Sequence, residues 1–240
     1  MVYLDPILLV DHLRLAHTPG IGKLGFPRHP HRGIETFTIV LEGTMHHKDS
    51  IGNVSAIGPG GAQWMTAGRG IFHEEMMESH GKGVEVLQLW FNLPAARKQT
   101  APGYQGVSAQ EVPQVGHVRV LAGSHEGVLG AVNGIAVEPT ILDIDLPENS
   151  LIVIPTTEGH TAAAYLMKGE GLVTNQPSLV VFSDHGDSVE LKSGSGGARW
   201  IFLSAPKLNE PIMQFRSFVM NTADEIGETL KLIDEGAFGT

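Results

Sequence analysis

Two short segments carry residues whose types and spacing suit metal chemistry. In HPHRGIET, His29 and His31 stand two residues apart, and in GRGIFHEEM, His73 and Glu75 do the same. Side chains alternate between faces along an extended strand, so each pair projects from one face of its strand, close enough to share an ion. Three neutral imidazoles and one carboxylate form a mixed nitrogen and oxygen set. Such a set suits Fe(II), Ni, Cu(II), Mn or Zn, whereas Ca and Mg prefer shells of oxygen alone. On an octahedral ion, four protein ligands leave two positions for water, O2 or substrate. A lone His-x-His pair is a weak signal. A second pair at the same spacing strengthens it, with Gly25 leading into the first and Gly68 and Gly70 into the second. Glu35 is a rival carboxylate: it follows His31 by four residues and so has the same strand parity. It could replace Glu75 as ligand or orient an imidazole from behind.

Other chemistry-bearing residues read as structural. His46 and His47 lie in MHHKDSIGN, which reads as a hairpin closing on Asp49 and Asn53, so they are expected at the surface or the barrel mouth and not as ligands. Trp64, Met65, Trp90 and Phe91 are expected to pack the barrel, with a share in an apolar cavity beside the metal as the alternative. Ser183, Asp184, His185 and Asp187 read as a turn, because triad members meet from separate elements and no G-x-S-x-G elbow is present. The glycines of SGSGG near Gly196 read as a flexible hairpin loop. No Lys-Ser/Thr or helix follows to make them a phosphate cradle.

The elements that must position the histidines are short. Thirty glycines and fourteen prolines punctuate the 240 residues, separating runs rich in Val, Ile, Leu, Phe and Thr, which is the pattern of a many-stranded sandwich or barrel. Strands are predicted at 34–41, 84–91, 118–121, 140–144, 151–154, 162–166, 179–182 and 198–204. One helix is predicted from an N-cap at Thr222, with Glu225 three residues on, to near Gly236. The segments TFTIVLEGTM and AAYLMKGEGLV echo one another, each a strand running into a glycine turn. Two barrels are therefore expected, 1–130 and 131–240, with the helix in the second. Only Glu158 and His160 precede the second echo, so the first barrel alone is expected to hold metal.

Composition narrows the function classes. Hydrophobic residues make up 42% and charged residues 18% of the chain, which marks a globular protein, and no apolar run is long enough to cross a bilayer. The opening MVYLDPILLVDHLRL lacks a basic n-region and a small-residue cleavage site, so a cytoplasmic location is expected. The absence of cysteine leaves imidazole and carboxylate as the tight metal ligands. A formal net charge of −10 and the lack of a Lys/Arg stripe argue against direct nucleic-acid binding.

The chain resembles the pirins, two-barrel members of the cupin superfamily, over nearly its full length. The resemblance rests on DPILLVDHL, GFPRHPHRGIET, LEGTMHHKDSIGN, PGGAQWMTAGRGIFHEEM, LQLWFNLP, LPENSLIVIPTTEGHTAAAYLMKGEG and EPIMQFRSFVMNTADEI. It implies an all-β fold of two tandem cupin-type jelly-roll barrels with a short C-terminal helix, the second barrel degenerate. It also implies metal ligation by His29, His31, His73 and Glu75, which favours Glu75 over Glu35. Two kinds of activity follow from the family. Some members look like quercetin dioxygenases, which open the flavonol ring with O2 and release carbon monoxide. In that reading Fe(II) is the expected metal, with Ni, Cu, Mn or Zn as alternatives, and Glu75 serves as general base toward a bound flavonol hydroxyl. No organic cofactor is needed, and no dinucleotide fingerprint is present. Other members act as metal-dependent regulatory modules through protein partners, as transcription cofactors do.

Overall fold

The computed structural model describes residues 4–171 and 176–239. By its internal contacts the chain divides into two compact units, 1–111 together with 208–240, and 112–207. Each unit is a β-barrel of the jelly-roll type.

In the first unit the described strands are β1 (Ile7–Leu15), β2 (Leu24–His31), β3 (Ile34–Glu42), β4 (Thr44–Asp49) and β5 (Val54–Ile57). They continue with β6 (Ala62–Thr66), β7 (Ile71–Glu78), β8 (Val84–Asn92) and β9 (Gly103–Val107). One antiparallel sheet runs β1-β8-β3-β6-β9 and the other β2-β7-β4-β5. Period-two patterning makes β7 a wall of this barrel. In IFHEEMME every second side chain, Ile71, His73, Glu75 and Met77, is buried, and the residues between are half exposed. The inner faces of the two sheets meet around the histidines: Gln63 of β6 and Gln88 of β8 both bond Glu75 of β7, and Trp90 of β8 stands edge-on to His31 of β2. Apolar clusters close the barrel on either side of this polar belt. Val40, Met45, Met77 and Val86 form one, and Ile34, Met65, Ile71 and Val219 the other.

The second unit contains β10 (Gln114–Val115), β11 (Val118–Ala122), β12 (Ser124–His125), β13 (Val128–Leu129) and β14 (Thr140–Leu146). It is completed by β15 (Leu151–Pro155), β16 (Thr161–Gly171), β17 (Ser178–Val181) and β18 (Ser188–Ala205). Its main sheet runs β10-β11-β14-β18-β16-β17, with β15 paired to the first part of β18. Val118, Leu142, Trp200 and Phe202 sit at the centre of its core. All eight strands predicted from sequence lie within these elements or overlap them closely.

The course of β18 corrects one expectation. The SGSGG glycines do not form a loop: residues 193–197 lie inside the 18-residue strand β18. Residues 188–192 of that strand pair with β15 and residues 198–205 with β14 and β16, and the register against β16 shifts between Gly169 and Gly171. Glycine within a strand here marks a bulge and not an end. By internal contacts the segment after Leu208 groups with the first unit; the expected boundary lay near Gly130, with the helix in the second barrel. That segment forms the hairpin β19 (Met213–Phe215) and β20 (Phe218–Met220), then helix α1 (Ala223–Asp234). The helix opens with the expected capping box, Thr222 accepting from the Glu225 N–H while Glu225 reaches back. Phe218, Ile226 and Phe238 bury their side chains with Phe72 of the first barrel, and Arg32 donates to Thr229. These apolar and polar anchors lie far apart in sequence, so no local signal announces them.

Candidate metal centre

Strand register assembles the centre. On the inner face of β2-β7-β4, His29 lies directly opposite His73, His47 opposite Glu75, and Asp49 opposite His73 on its other side. A bulge in β2 sits between Phe26, paired with Glu75, and His29, and it brings His29 into line with His73. Ring centroids lie 4.4 Å apart for His29 and His73, and 4.9 Å apart for His31 with each of the other two.

The structure brings His29, His31 and His73 into one set whose donor atoms all lie within 4.8 Å of one another. Glu75 falls into a second such set with His73 and His47, so His73 belongs to both. Both groups found among the described residues lie in the first barrel. Glu35 joins neither. It accepts from Thr66 Oγ1 at 2.8 Å, in line with Thr66 and Phe91, on the face of β3 opposite to Thr38 and its partners Gln63 and Gln88. The parity argument for Glu35 counts through Arg32 and Gly33, and the chain turns there, between β2 and β3.

The donor set fits a cation. His29 Nδ1 donates to the Pro27 carbonyl at 2.9 Å, which leaves its lone pair on Nε2, and that atom faces His31 Nε2 at 3.0 Å. Two nitrogens bound at right angles to one ion at about 2.1 Å would stand about 3.0 Å apart. His73 is 1% exposed, yet neither of its nitrogens has a hydrogen-bond partner. Burial and then the neighbouring His29 hold the His31 imidazole down to about 3. Burial, followed by His31, His29 and His47, holds His73 far below its ordinary range. Both rings are therefore kept neutral, the form that binds metal. Burial pushes the Glu75 carboxyl up, against the pull of Gln88, His47, His29 and Gln63. A bound cation would supply the charge that this enclosed carboxylate otherwise lacks.

A family model described as Pirin matches residues 2–91, and one described as Pirin C-terminal cupin domain matches residues 141–239. The chain belongs to the pirin family. A Pseudomonas aeruginosa protein provisionally named quercetin 2,3-dioxygenase is 37% identical, over 97% of this chain and 86% of its own. A solved quercetin 2,3-dioxygenase from Acinetobacter baumannii superposes with a TM-score of 0.91 at 33% identity, over 99% of this chain and 87% of that one. The bacterial pirin YhhW from Escherichia coli, solved in complex with nickel(II), shares the fold at 20% identity with a TM-score of 0.68, over 85% of this chain and 84% of its own.

In this member of the pirin family the groups behind Glu75 are as ordered as those beside it. Gln63 Nε2 donates to Oε1 at 2.6 Å and Gln88 Nε2 to Oε2 at 2.8 Å. Each amide is held the right way round by a donor on its oxygen, Tyr104 O–H on Gln63 at 3.0 Å and Trp90 Nε1–H on Gln88 at 3.1 Å. Burial pushes the Tyr104 phenol up to about 12, so it remains a donor. Ser55 bonds the same phenol. None of Gln63, Gln88 and Tyr104 was legible as a site residue, and their alternation with buried apolar neighbours is the one signal that could have found them. His47 is the larger surprise. It is buried inside the barrel, while His46 points the other way, half buried, and bonds Glu78 at 2.8 Å. The same alternation along MHHKD separates the two. Met65 and Phe91 pack the core as expected, and Trp90 packs against it while also meeting His31 at 5.0 Å. Ser183, Asp184 and His185 are exposed, as a surface turn requires.

Proposed function

We propose that the first barrel holds one divalent transition metal through His29, His31, His73 and Glu75, with Fe(II) as the native ion, and that the protein is a flavonol-opening dioxygenase. The observation that carries this reading is the convergence of three imidazole donors, two of them buried, with His29 and His31 nitrogens 3.0 Å apart and His73 wholly unbonded, beside an enclosed carboxylate. The names of the relatives support the substrate class. When bound, the ion supplies Lewis acidity toward a hydroxylated aromatic and positions for that ligand and O2. The chain's own residues do the rest. Pro27 fixes the His29 tautomer, and Gln63 and Gln88 hold the plane of Glu75. Two of the roughly four lone-pair positions on Glu75 are taken by those amides, which leaves one for the ion and one to accept the flavonol's hydroxyl proton. The apolar clusters above and below keep water from the belt. No helix among the described residues is long and apolar enough to cross a membrane, and a cytoplasmic location belongs to this proposal.

The test begins with elemental analysis of protein purified without chelator or affinity metal, where one ion per chain is expected. An oxygen electrode trace with quercetin should then show O2 uptake, matched by bleaching of the flavonol absorbance. His73→Ala should abolish stoichiometric metal binding and both signals. Full metal occupancy in that variant would refute the ligand assignment. A metal-loaded wild type that leaves quercetin and O2 untouched would instead support a regulatory module that works through a protein partner.

A further inference from the structure

His47 is a further buried polar side chain in the belt, with no role in the proposed metal centre. It is enclosed completely, as is the Asp49 carboxylate beside it, with His47 Nε2 3.1 Å from Asp49 Oδ2. Asp49 is occupied on every side: Oδ1 accepts the backbone N–H groups of Ile51 and Asn53, at 3.1 and 2.9 Å, and Oδ2 accepts the Asn53 amide at 2.8 Å. Burial alone would push this carboxyl up, but the hydrogen bonds from Asn53 and His47 outweigh it and hold it below the usual carboxylate range. An ionised carboxylate can only accept, so His47 Nε2 donates, and the tautomer this selects carries the ring's lone pair on Nδ1. That atom is buried and has no hydrogen-bond partner.

The rest of the ring is fixed. Tyr104 stacks on it, with centroids 4.2 Å apart and planes 21° from parallel. A ring nitrogen of His47 and donor atoms of His73 and Glu75 lie within 4.8 Å of one another. The imidazole is thus oriented by Asp49, clamped by Tyr104, and left with one unfilled acceptor beside the candidate ligands. Buried polar atoms of this kind are normally satisfied by a partner. With the His29, His31 and His73 lone pairs given to the ion and Glu75 keeping one for a hydroxyl proton, His47 Nδ1 is a second open acceptor in the belt.

We propose that His47 Nδ1 accepts a hydrogen bond from the O–H group of a hydroxylated aromatic bound at the metal centre, as a second acceptor beside Glu75. This rests on the metal-centre reading and deepens it, since the site then selects ligands that bring a hydroxyl over ligands that only donate electrons to the ion. Asp49 is the positioning residue, which sets the tautomer.

Wild type, His47→Ala and His47→Asn are loaded with Co(II) and kept free of O2, so that no turnover enters the measurement. Each is titrated with catechol and, separately, with azide, which carries no hydroxyl, following the visible absorption of the ion. One Co(II) per chain is expected in all three. The catechol dissociation constant should rise about tenfold in His47→Ala. Azide should bind all three alike, and His47→Asn, whose amide oxygen reaches the place of Nδ1, should recover most of the loss. Equal catechol affinity in wild type and His47→Ala would overturn the proposal. So would an equal loss for azide, which would mean general loosening of the site, or loss of Co(II) from both variants, which would make His47 a ligand. Failure of the wild type to take up Co(II) would overturn the metal-centre reading and this one with it. Success there with no His47 effect would overturn this one alone.

Discussion

His73 shows at the scale of one residue what sets the centre apart from ordinary core. A buried imidazole with both nitrogens unbonded costs folding free energy, and the chain accepts that cost at the one position shared by both donor sets. The amides behind Glu75 lead to a sharper expectation. Gln88→Met keeps the volume of the side chain but removes the donor to Glu75 Oε2 and leaves the Trp90 indole N–H without its acceptor. Groups that orient a ligand from behind are typically worth about 10–100-fold in metal affinity. Chelator competition on the purified variant should show a loss in that range, and unchanged affinity would mean that Glu75 needs no such support. The paired spacing of His29 with His31 and His73 with Glu75 was legible because alternation along a strand survives any fold the strand enters. The parity that made Glu35 a rival does not hold, because the arithmetic runs across a turn. His47 was missed because its neighbourhood looks like a hairpin end, and burial at such a place is decided by the partner strand.

At the scale of elements, the centre depends on how closely β2 lies against β7. Gly25 is the contact that permits it. A Cβ there would stand 2.1 Å from the Glu75 carbonyl oxygen and 3.0 Å from Met76 Cα, both backbone atoms that cannot swing away. Gly25, which leads into the first histidine pair, lies within β2, one residue before Phe26, which pairs with Glu75. Gly25→Ala is therefore expected to force the two strands apart at Glu75. Overpacking of this kind costs about 1–3 kcal/mol. Thermal unfolding should show the apo protein destabilised, and a metal titration should show weaker binding than in wild type. If melting and affinity both matched wild type, the close approach would not be what holds Glu75 in place. The strand pattern and the capping box were legible because both are local. The allegiance of β19, β20 and α1 to the first barrel was not, since it depends on contacts such as Lys98 Nζ with Gly33, Asn92 and Val219, spread over more than a hundred residues.

For the whole molecule, the neutral imidazoles tie stability to pH. His31 is held at about 3 in the folded chain against an ordinary value of 6.5, and His73 is shifted the same way. Below pH 6.5 the unfolded chain takes up protons at these positions and the folded chain does not, so stability falls as pH falls, until His31 itself titrates near 3. Between pH 6.5 and 5, His31 alone accounts for a loss of about 2 kcal/mol. Glu75 pulls the other way, because burial raises it and the folded chain then binds its proton first, but one carboxyl offsets only one of the two rings. The apo protein should therefore melt several degrees lower at pH 5 than at pH 7, and His31→Leu should flatten that slope. A bound ion needs the same lone pairs that the protons take, so the extra stability of the metal-loaded protein should also shrink over this range. Calorimetry of apo and loaded protein at a series of pH values measures both slopes at once. An apo melting temperature that holds level from pH 7 to 5 would mean that the imidazoles accept protons in the folded barrel, and a site so open to protons could not be the dry, neutral cluster that the proposed metal binding requires.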